Sequence, residues 1–553
     1  MGKGGDCFDR FKGIGFNRGN FQVRRSQPNL KLFDDFDAYK STCPCTKETT
    51  TNISIEITFF SMEFNLLSSL FLFTTPLFLL FVARKYFTSA KNLPPGPQPW
   101  PIIGNMHQMA KNPHLVAANF AKKYGPLISL RLGTRLLVVA SSPEAAMEVL
   151  KTQDRHLSGR SIPDALQQSF IDYYFVWARD CNEHWKSCRT LCRVELFSAK
   201  AIENQSNLRN EKLAHMLDFL NNTQGNVVKI EELIFTTLIN TLSNILFSKD
   251  FLDLKDDESA HRLKFGLLKI LENSVTPNVS DFFPIIGGLD LQGLRKDSLN
   301  HLDELSSFSE AIVKERRARI AKKVVVEDHE KDFLDRLLEN NFTTAQINIL
   351  VLELFIAGTD TVVTTIEWAM AELLKNKEIM CKVHEELTSE FNSNSIMKSD
   401  LSKLTYFNAC IKETLRLHPV VPVLIPRRAL EACEVMNYTI PQNAQVWVNV
   451  WAICHDPKVW EDPNTFKPER FLGSNIDFTG HDFEFIPFGG GRRMCPGLPS
   501  GVKSLQTMLA SLVLGYDWSL PNGEDPTKLD MTEKFGVTLQ KEKPLELIFT
   551  RRK

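Results

Sequence analysis

The chain has 553 residues, with 65 lysines and arginines against 66 aspartates and glutamates, so its formal net charge is −1. This balance gives no electrostatic argument for a nucleic-acid partner. The hydrophobic content of 43% is enough for a large buried core. The eleven cysteines show no framework spacing, which indicates mostly reduced thiols in a cytosolic environment.

Residues 1–61 show no sustained helical or strand period, and we predict an atypical, disordered extension there. Residues 62–84 are predicted to form a transmembrane anchor. The stretch from Phe64 to Ala83 carries no charge and would span roughly 30 Å as a helix, the thickness of a bilayer core. Arg84 and Lys85 follow, which places the rest of the chain in the cytosol. A cleaved signal peptide is the alternative, but no small-residue cleavage site follows the stretch.

Residues 85–101 are basic and proline-rich and end in LPPGPQPWP. Because proline fixes φ and forbids a helix, this segment is predicted to be a stiff hinge. Residues 102–553 then show amphipathic helical patterns with a few alternating stretches such as LISLRLGTRLLVVA. The predicted fold class is mainly α with small β-sheets, in one large domain.

The stretch FGGGRRMCPG, residues 488–497, surrounds one cysteine with glycines and arginines. Loop glycines let backbone N–H groups approach a sulfur, and nearby arginines favour thiolate over thiol. Zinc or an iron–sulfur cluster would need further ligands close by, c-type haem would need Cys-x-x-Cys-His, and a phosphate loop would need Gly-Lys-Ser/Thr. A lone thiolate suits haem iron, while an ordinary structural cysteine stays open as the alternative.

The loop resembles the signature Phe-x-x-Gly-x-Arg-x-Cys-x-Gly of the cytochrome P-450 monooxygenases, carried here by Phe488, Gly491, Arg493, Cys495 and Gly497. Further segments resemble that family's motifs in the family's order: Trp185-Lys-Ser-Cys-Arg189, Ala357-Gly-Thr-Asp360-Thr361, Glu413-Thr-Leu-Arg416 and Phe466-Lys-Pro-Glu-Arg470-Phe471. The resemblance covers residues from about 62 to 553 and implies the cytochrome P-450 fold.

The resemblance implies haem b as cofactor, with Cys495 as the axial ligand of the iron. It also implies a set of residues that bind the cofactor or shape its loop: Trp185, Arg189, Arg427, Phe488, Gly491 and Arg493. Arg427 could instead be a surface arginine. Glu413, Arg416 and Arg470 would form the family's buried structural network, since residues three apart on a helix can meet directly.

The apolar helix predicted over residues 345–375 carries Asp360 and Thr361, which the resemblance makes the catalytic pair. Thr361 would bond dioxygen or its water, and Asp360 would relay protons. Gly358 would mark a point where the helix opens, although Thr361 could simply bond its own helix carbonyl. Val362 stands where the family usually has a hydroxyl, so the relay is expected to differ in detail.

Loop 161–180 and residues 420–425 supply a predicted substrate pocket for a hydrophobic, ring-bearing molecule. Its expected lining is apolar and aromatic: Phe170, Tyr173, Tyr174, Phe175, Ile356, Ala357, Val420, Val421 and Val423. Asp172 could pair with a cationic amine of the substrate, although a solvated loop aspartate is the simpler interpretation.

No flavin or nicotinamide fingerprint is present, so electrons must come from outside. The resemblance implies an NADPH-dependent flavoprotein reductase as partner, dioxygen as co-substrate, and a single-pass location in the endoplasmic reticulum membrane with the catalytic domain in the cytosol. The hinge and the Ala-Gly-Thr-Asp-Thr run are typical of plant members of the family.

Residues 149–160 and 181–205 resemble the alkaloid-pathway branch, which includes N-methylcoclaurine 3'-hydroxylases. We therefore expect aromatic hydroxylation of a benzylisoquinoline alkaloid. A monoterpenoid hydroxylase similar to geraniol 8-hydroxylase, oxidative phenol coupling and a rearrangement like that of littorine mutase stay open. A haem-thiolate isomerase, which would not consume NADPH, and a non-catalytic haem-binding membrane protein are the more distant alternatives.

Overall fold

The computed structural model describes residues 74–76, 92–168, 171–253, 257–322, 327, 331–391 and 400–552. The chain divides into two units, Met1–Lys85 and Tyr86–Lys553. The predicted extension 1–61 lies outside the described residues. So does the predicted anchor 62–84, except for residues 74–76, which are helical.

α-Helices account for most of the regular secondary structure described in the second unit. They are α1 Pro113–Tyr124, α2 Pro143–Met147, α3 Glu183–Glu195, α4 Ala199–Asn204, α5 Ser206–Asn222, α6 Ile230–Phe247, α7 Asp257–Val275, α8 Val279–Phe282, α9 Leu294–Ala321, α10 Phe333–Glu339, α11 Thr344–Lys375, α12 Lys377–Glu390, α13 Thr405–Leu417, α14 Val450–Cys454 and α15 Leu498–Gly515.

The strands are short: β1 Leu127–Leu132, β2 Arg135–Ala140, β3 Val227–Lys229, β4 Arg427–Arg428, β5 Cys433–Val435, β6 Tyr438–Ile440, β7 Gln445–Val448, β8 Tyr516–Ser519, β9 Glu533–Lys534, β10 Gln540–Lys541 and β11 Glu546–Arg551. The largest sheet has the order β1-β2-β7-β4, and β2 pairs with β7 in parallel. The other sheets are β3-β11-β8, β5-β6 and β9-β10. The predicted fold class, mainly α with small β-sheets, is confirmed.

Helix α11 lies at the centre of the fold and packs against α6, α9, α13 and α15. It begins with a capping box, in which Thr343 Oγ1 accepts the N–H of Gln346 and Gln346 Oε1 accepts the N–H of Thr343. Among the described helices, α6 and α11 are long and apolar enough to cross a membrane, but most of each is buried inside the fold. Both are therefore core helices, as their packing requires.

The described part of the proline-rich hinge lies along β1. Ser129 donates its backbone N–H to the carbonyl of Pro95 at 2.9 Å and its hydroxyl to the carbonyl of Pro94 at 2.6 Å. A Cβ at Gly96 would lie 2.0 Å from the carbonyl oxygen of Ser129, so only glycine permits this approach. The end of the hinge is thus part of the globular unit.

Candidate active site

Cys495 lies in a tight loop directly before α15. The N–H of Cys495 donates to the carbonyl of Phe488 at 3.1 Å, and the N–H of Met494 donates to the carbonyl of Gly491 at 3.1 Å. The Cys495 side chain is exposed, while the protein atoms around its sulfur partly desolvate the thiol. Burial raises the pKa of the thiol, while the N–H groups of Gly497 and Leu498 and the charge of Arg189 act in the opposite direction.

Gly491 allows this loop to dock on the short π-helix Glu148–Thr152. Its φ is +68°, and a Cβ there would lie 2.1 Å from the carbonyl oxygen of Leu150. Asp154 also stabilises the docked loop. Its carboxylate accepts hydrogen bonds from the backbone N–H of Arg492 at 3.0 Å and from Arg427 Nη1 at 2.8 Å. Arg427 also donates Nη2 to the carbonyl of Gly490 at 2.9 Å. Through Asp154 and Gly490, Arg427 therefore stabilises the position of the Cys495 loop.

Trp185 lies between two arginines. Its helix, α3, begins at a cap in which Asn182 Oδ1 accepts the N–H of Trp185 at 2.8 Å. The guanidinium carbons of Arg189 and Arg493 lie 5.6 and 5.0 Å from the Trp185 ring. Arg493 donates Nε and Nη2 to two loop carbonyls, but its buried Nη1 has no hydrogen-bond partner among the described residues. This arrangement leaves a buried cationic donor for an anionic group.

Arg160 belongs to the same cationic cluster, although no sequence motif predicts a role for it. Its Nη1 donates to the carbonyls of Ile425 and Pro426, while its buried Nε has no partner within the described ranges. Burial and the charges of Arg493 and Arg427 lower the pKa of Arg160 well below its usual value. Burying several guanidinium groups close together is unfavourable unless a negative charge compensates them. The cluster therefore indicates a site for an anionic group. Nothing in the local spacing around Arg160 marks it in the sequence.

Thr361 and Ala357 form an accessible strip on α11, which is otherwise mostly buried. The Thr361 hydroxyl donates to the carbonyl of Ala357 at 2.9 Å and keeps lone pairs for accepting hydrogen bonds. The helix is continuous through Gly358, so the expected opening there is wrong. A Cβ at Gly358 would lie 2.9 Å from Leu242 Cδ1, and close packing on α6 explains the glycine. Val362 belongs to the buried apolar core.

Asp360 faces a different environment from Thr361. Its buried carboxylate accepts hydrogen bonds from Thr538 Oγ1 at 2.6 Å and Gln540 Nε2 at 2.8 Å. Burial raises the pKa of Asp360 to about 6, although both hydrogen bonds lower it. Thr538 and Gln540, which the sequence analysis did not single out, therefore hold the carboxylate of the predicted proton relay.

The described residues of the predicted pocket differ in burial. Tyr174, Phe175, Val420 and Val423 are buried, whereas Tyr173, Ile356 and Val421 are half-buried and Ala357 is exposed. The Tyr174 hydroxyl donates to the carbonyl of Leu166 at 3.1 Å, which folds the loop back on itself. Phe170 lies outside the described residues. Asp172 is exposed, so the structure gives no support for its pairing with a buried amine.

Glu353 fastens this loop to α11. Its buried carboxylate accepts the backbone N–H groups of Phe175 at 2.6 Å, Val176 at 3.1 Å and Trp177 at 3.2 Å. Burial raises the pKa of Glu353 to about 7, although the N–H groups and the charge of Arg493 lower it. In the sequence this residue is only a charge within an apolar helix.

Glu413, Arg416 and Arg470 lie together in the core. Arg416 donates Nε and Nη2 to the two carboxylate oxygens of Glu413 at 2.7 and 2.8 Å, and Arg470 donates Nε to Glu413 Oε1 at 3.0 Å. The Glu413 and Arg416 side chains are fully buried. Arg416 also donates Nη1 to the carbonyls of Cys454 and Pro463, so this network joins α13 to the segment before the Cys495 loop.

Residues 94–549 match the sequence profile of the Cytochrome P-450 family. The chain is 47% identical to a probable (S)-N-methylcoclaurine 3'-hydroxylase isozyme 2 of Coptis japonica, over 87% of this chain and 97% of the relative. It is 46% identical to an (S)-N-methylcoclaurine 3'-hydroxylase isozyme 1 of Papaver somniferum, over 86% and 98% of the two chains. A corytuberine synthase of Coptis japonica is 45% identical, over 84% and 94%. The chain belongs to the cytochrome P-450 family.

This cytochrome P-450 is a monooxygenase, and family membership implies a haem iron, dioxygen, a redox partner and a hydrophobic substrate. The described residues fit the haem. Cys495 offers one sulfur in a glycine-rich loop, and Arg493 Nη1 and Arg160 Nε are buried donors without partners in the described part of the chain, as two carboxylates of a cofactor would require.

Proposed function

We propose that this cytochrome P-450 hydroxylates the aromatic ring of a benzylisoquinoline alkaloid. The observation that carries the proposal is the identity of 46–47% with the two N-methylcoclaurine 3'-hydroxylases, over nearly their whole length. Oxidative coupling is the second candidate, because a corytuberine synthase is almost as similar at 45% identity. The monoterpenoid hydroxylation and the rearrangement considered from the sequence have no such support among these relatives.

In this proposal, Cys495 binds the iron of haem b, and Trp185, Arg189, Arg493 and Arg160 bind its carboxylates. When bound, the haem iron supplies dioxygen activation and oxygen transfer. Gly491 and Phe488 keep the loop in the shape that presents the sulfur. Arg427 acts indirectly, by supporting the Cys495 loop. Its guanidinium donates hydrogen bonds to the Asp154 carboxylate and to the carbonyl of Gly490.

Thr361 and Asp360 handle protons in this proposal. With a pKa of about 6, Asp360 can take up and release a proton near neutral pH, which is the requirement for a general acid or base. The Thr361 hydroxyl donates to its own helix and can accept a hydrogen bond on the accessible strip of α11. Thr361 would thus orient a water or dioxygen while Asp360 stores the proton.

The pocket wall formed by Tyr173, Tyr174 and Phe175 would exclude water and hold the substrate ring against Val420, Val421 and Val423. Such an apolar wall suits an aromatic molecule. Glu353 would keep that wall in place, because its carboxylate accepts three consecutive backbone N–H groups of the loop. Phe170 would complete the lining.

We propose an NADPH-dependent flavoprotein reductase as the electron source and attachment to the endoplasmic reticulum membrane through residues 62–84. Within the globular unit, an exposed apolar face supports contact with a bilayer. We define the apolar face by its exposed residues: Trp100, Ile102, Ile103, Ile285, Leu289 and Leu291. Ile285 is 95% exposed, and transfer of this apolar side chain from water into lipid would be favourable.

The test is turnover of a benzylisoquinoline and monoterpenoid panel by the full chain with reductase and NADPH, followed by product mass analysis. Hydroxylation adds one oxygen, whereas coupling removes two hydrogens. NADPH consumption that depends on substrate separates both from an isomerase. Cys495→Ser must abolish turnover and the thiolate-type Soret band of the reduced carbon monoxide complex; a variant that retains both would overturn the site.

A further inference from the structure

A cleft of about 600 Å³ opens beside the start of β2 and shares Arg160 with the proposed haem site. Its walls come from the β1–β2 turn, from residues 160–167 and from the segment 441–445 before and within β7. Its described lining residues include no acidic side chain and four arginines: Arg135, Arg160, Arg179 and Arg428. Arg160 also belongs to the cationic cluster of the proposed haem site, which leaves Arg135, Arg179 and Arg428 to the cleft alone.

Two of these arginines have no carboxylate partner. Arg135 lies 3.4 Å from Asp281, but Arg179 and Arg428 form no ion pair with any described residue. Arg428 is held rigidly, because it donates Nε to the carbonyl of Arg160 at 3.0 Å, Nη1 to Asn443 Oδ1 at 2.9 Å and Nη2 to the carbonyl of Arg179 at 3.3 Å. Its remaining N–H donors are free for a ligand.

The charge of Arg428 is only partly compensated by its surroundings. Burial lowers its pKa, the charge of Asp180 raises it, and the charge of Arg179 lowers it by a smaller amount. A rigid, half-buried guanidinium beside a second, exposed one makes a concave positive surface, which attracts an anion with several acceptor oxygens.

The cleft lies at the edge of the apolar face. The N–H of Gly133 donates to the carbonyl of Ile103 at 3.2 Å, and the N–H of Thr134 donates to the carbonyl of Phe282 at 3.0 Å. The same turn therefore binds both chain segments that carry the exposed apolar residues, and it supplies Thr134 and Arg135 to the cleft wall. An anion bound here would have apolar surface next to it.

We propose that this cleft binds the phosphate group of an anionic phospholipid, whose acyl chains lie against the apolar face. Arginine is the side chain that best matches phosphate, through paired charge-assisted hydrogen bonds. The proposal depends on the proposed membrane attachment for the source of the phosphate, but not on the substrate or the chemistry of the haem site.

The experiment uses the full-length holoenzyme in a non-ionic detergent and measures saturable binding of three probes. The probes are dihexanoyl phosphatidic acid below its micelle concentration, dihexanoyl phosphatidylcholine and inorganic phosphate. We expect phosphatidic acid to bind most tightly. Arg179→Gln should weaken it by about tenfold, as expected for loss of a charge-assisted hydrogen bond. Arg551→Gln, which changes an exposed arginine on β11, should leave it unchanged.

Equal affinity for phosphatidic acid and inorganic phosphate would support the phosphate site and overturn the lipid as its source. Equal affinity for phosphatidic acid and phosphatidylcholine, or equal losses in the two variants, would overturn the site itself. The reduced carbon monoxide spectrum of Arg179→Gln should match that of the wild-type protein, so the result stands apart from success or failure of alkaloid turnover.

Discussion

The carboxylate of Glu353 accepts the backbone N–H of Phe175 at 2.6 Å, and this bond ties the central helix α11 to the aromatic wall of the proposed pocket. The backbone N–H groups of Val176 and Trp177 donate to the same carboxylate. Because one side chain satisfies three backbone donors, the position of the wall depends on a single buried acid.

Replacing Glu353 with leucine should release the pocket wall. The substitution preserves bulk but leaves the N–H groups of Phe175, Val176 and Trp177 without their acceptor. An unsatisfied buried donor costs about 1–3 kcal/mol, so the free energy of unfolding should fall by roughly 3 kcal/mol or more. Denaturant unfolding of the holoenzyme measures the loss, and spectral titration should show weaker substrate binding. Unchanged stability and affinity would show that the loop is held by other contacts.

Glu353 should also make stability depend on pH. Burial raises its pKa from 4.5 to about 7, so the folded state holds the proton more tightly than the unfolded state. Its contribution to stability is therefore complete below pH 4.5 and is lost as pH rises toward 7, by up to about 3 kcal/mol. Glu353→Gln cannot titrate, so the difference in unfolding free energy between wild type and variant should change across this window. A constant difference would contradict the raised pKa.

Residues that share a helix face were within reach of sequence reasoning, and residues that meet through the tertiary fold were not. The Glu413–Arg416 contact follows from a three-residue spacing, and the length of α11 follows from its apolar run. By contrast, Asp360 and Gln540 are 180 positions apart, and Arg427 and Asp154 are 273 apart. No periodicity encodes such pairs, and the close approach of Leu242 to Gly358, which explains the glycine in place of a helix opening, is of the same kind.

Removing the Thr538 hydroxyl should raise the pKa of Asp360 above its value of about 6, because the hydrogen bond stabilises the charged form. In Thr538→Val, the yield of product per NADPH should therefore change at a higher pH than in the wild-type protein. The measurement is product formed per NADPH consumed as a function of pH. Thr359→Val is the matched control, since Thr359 is buried on the same helix and donates only to the carbonyl of Phe355. Identical profiles for both variants would separate Thr538 from proton handling.

Glu413→Ala should be among the most damaging single substitutions in the fold. It leaves the buried guanidinium of Arg416 without a carboxylate and removes the partner of Arg470, which should cost about 3–5 kcal/mol. Glu183→Ala is the matched control, because Glu183 and Lys186 have the same three-residue spacing on a helix but are 89% and 57% exposed. That variant should lose less than about 1 kcal/mol. Thermal unfolding of both holoenzymes compares them directly, and similar losses would contradict the structural importance of burial here.

Gly491 and Gly523 have the same φ but different surroundings. Comparing alanine variants at the two positions therefore distinguishes a steric clash at the Cys495 loop from backbone strain. Gly491 and Gly523 both have φ of +68°, so alanine should cost about 1–2 kcal/mol at either position through strain alone. At Gly491 the new Cβ would also lie 2.1 Å from the carbonyl oxygen of Leu150, whereas at Gly523 nothing lies within 4 Å. We therefore expect Gly491→Ala to lose bound haem and to unfold at a markedly lower temperature, and Gly523→Ala to keep its full haem-to-protein ratio. If Gly491→Ala bound haem as well as Gly523→Ala does, the close docking of the loop on the short π-helix Glu148–Thr152 would not be needed to hold the cofactor.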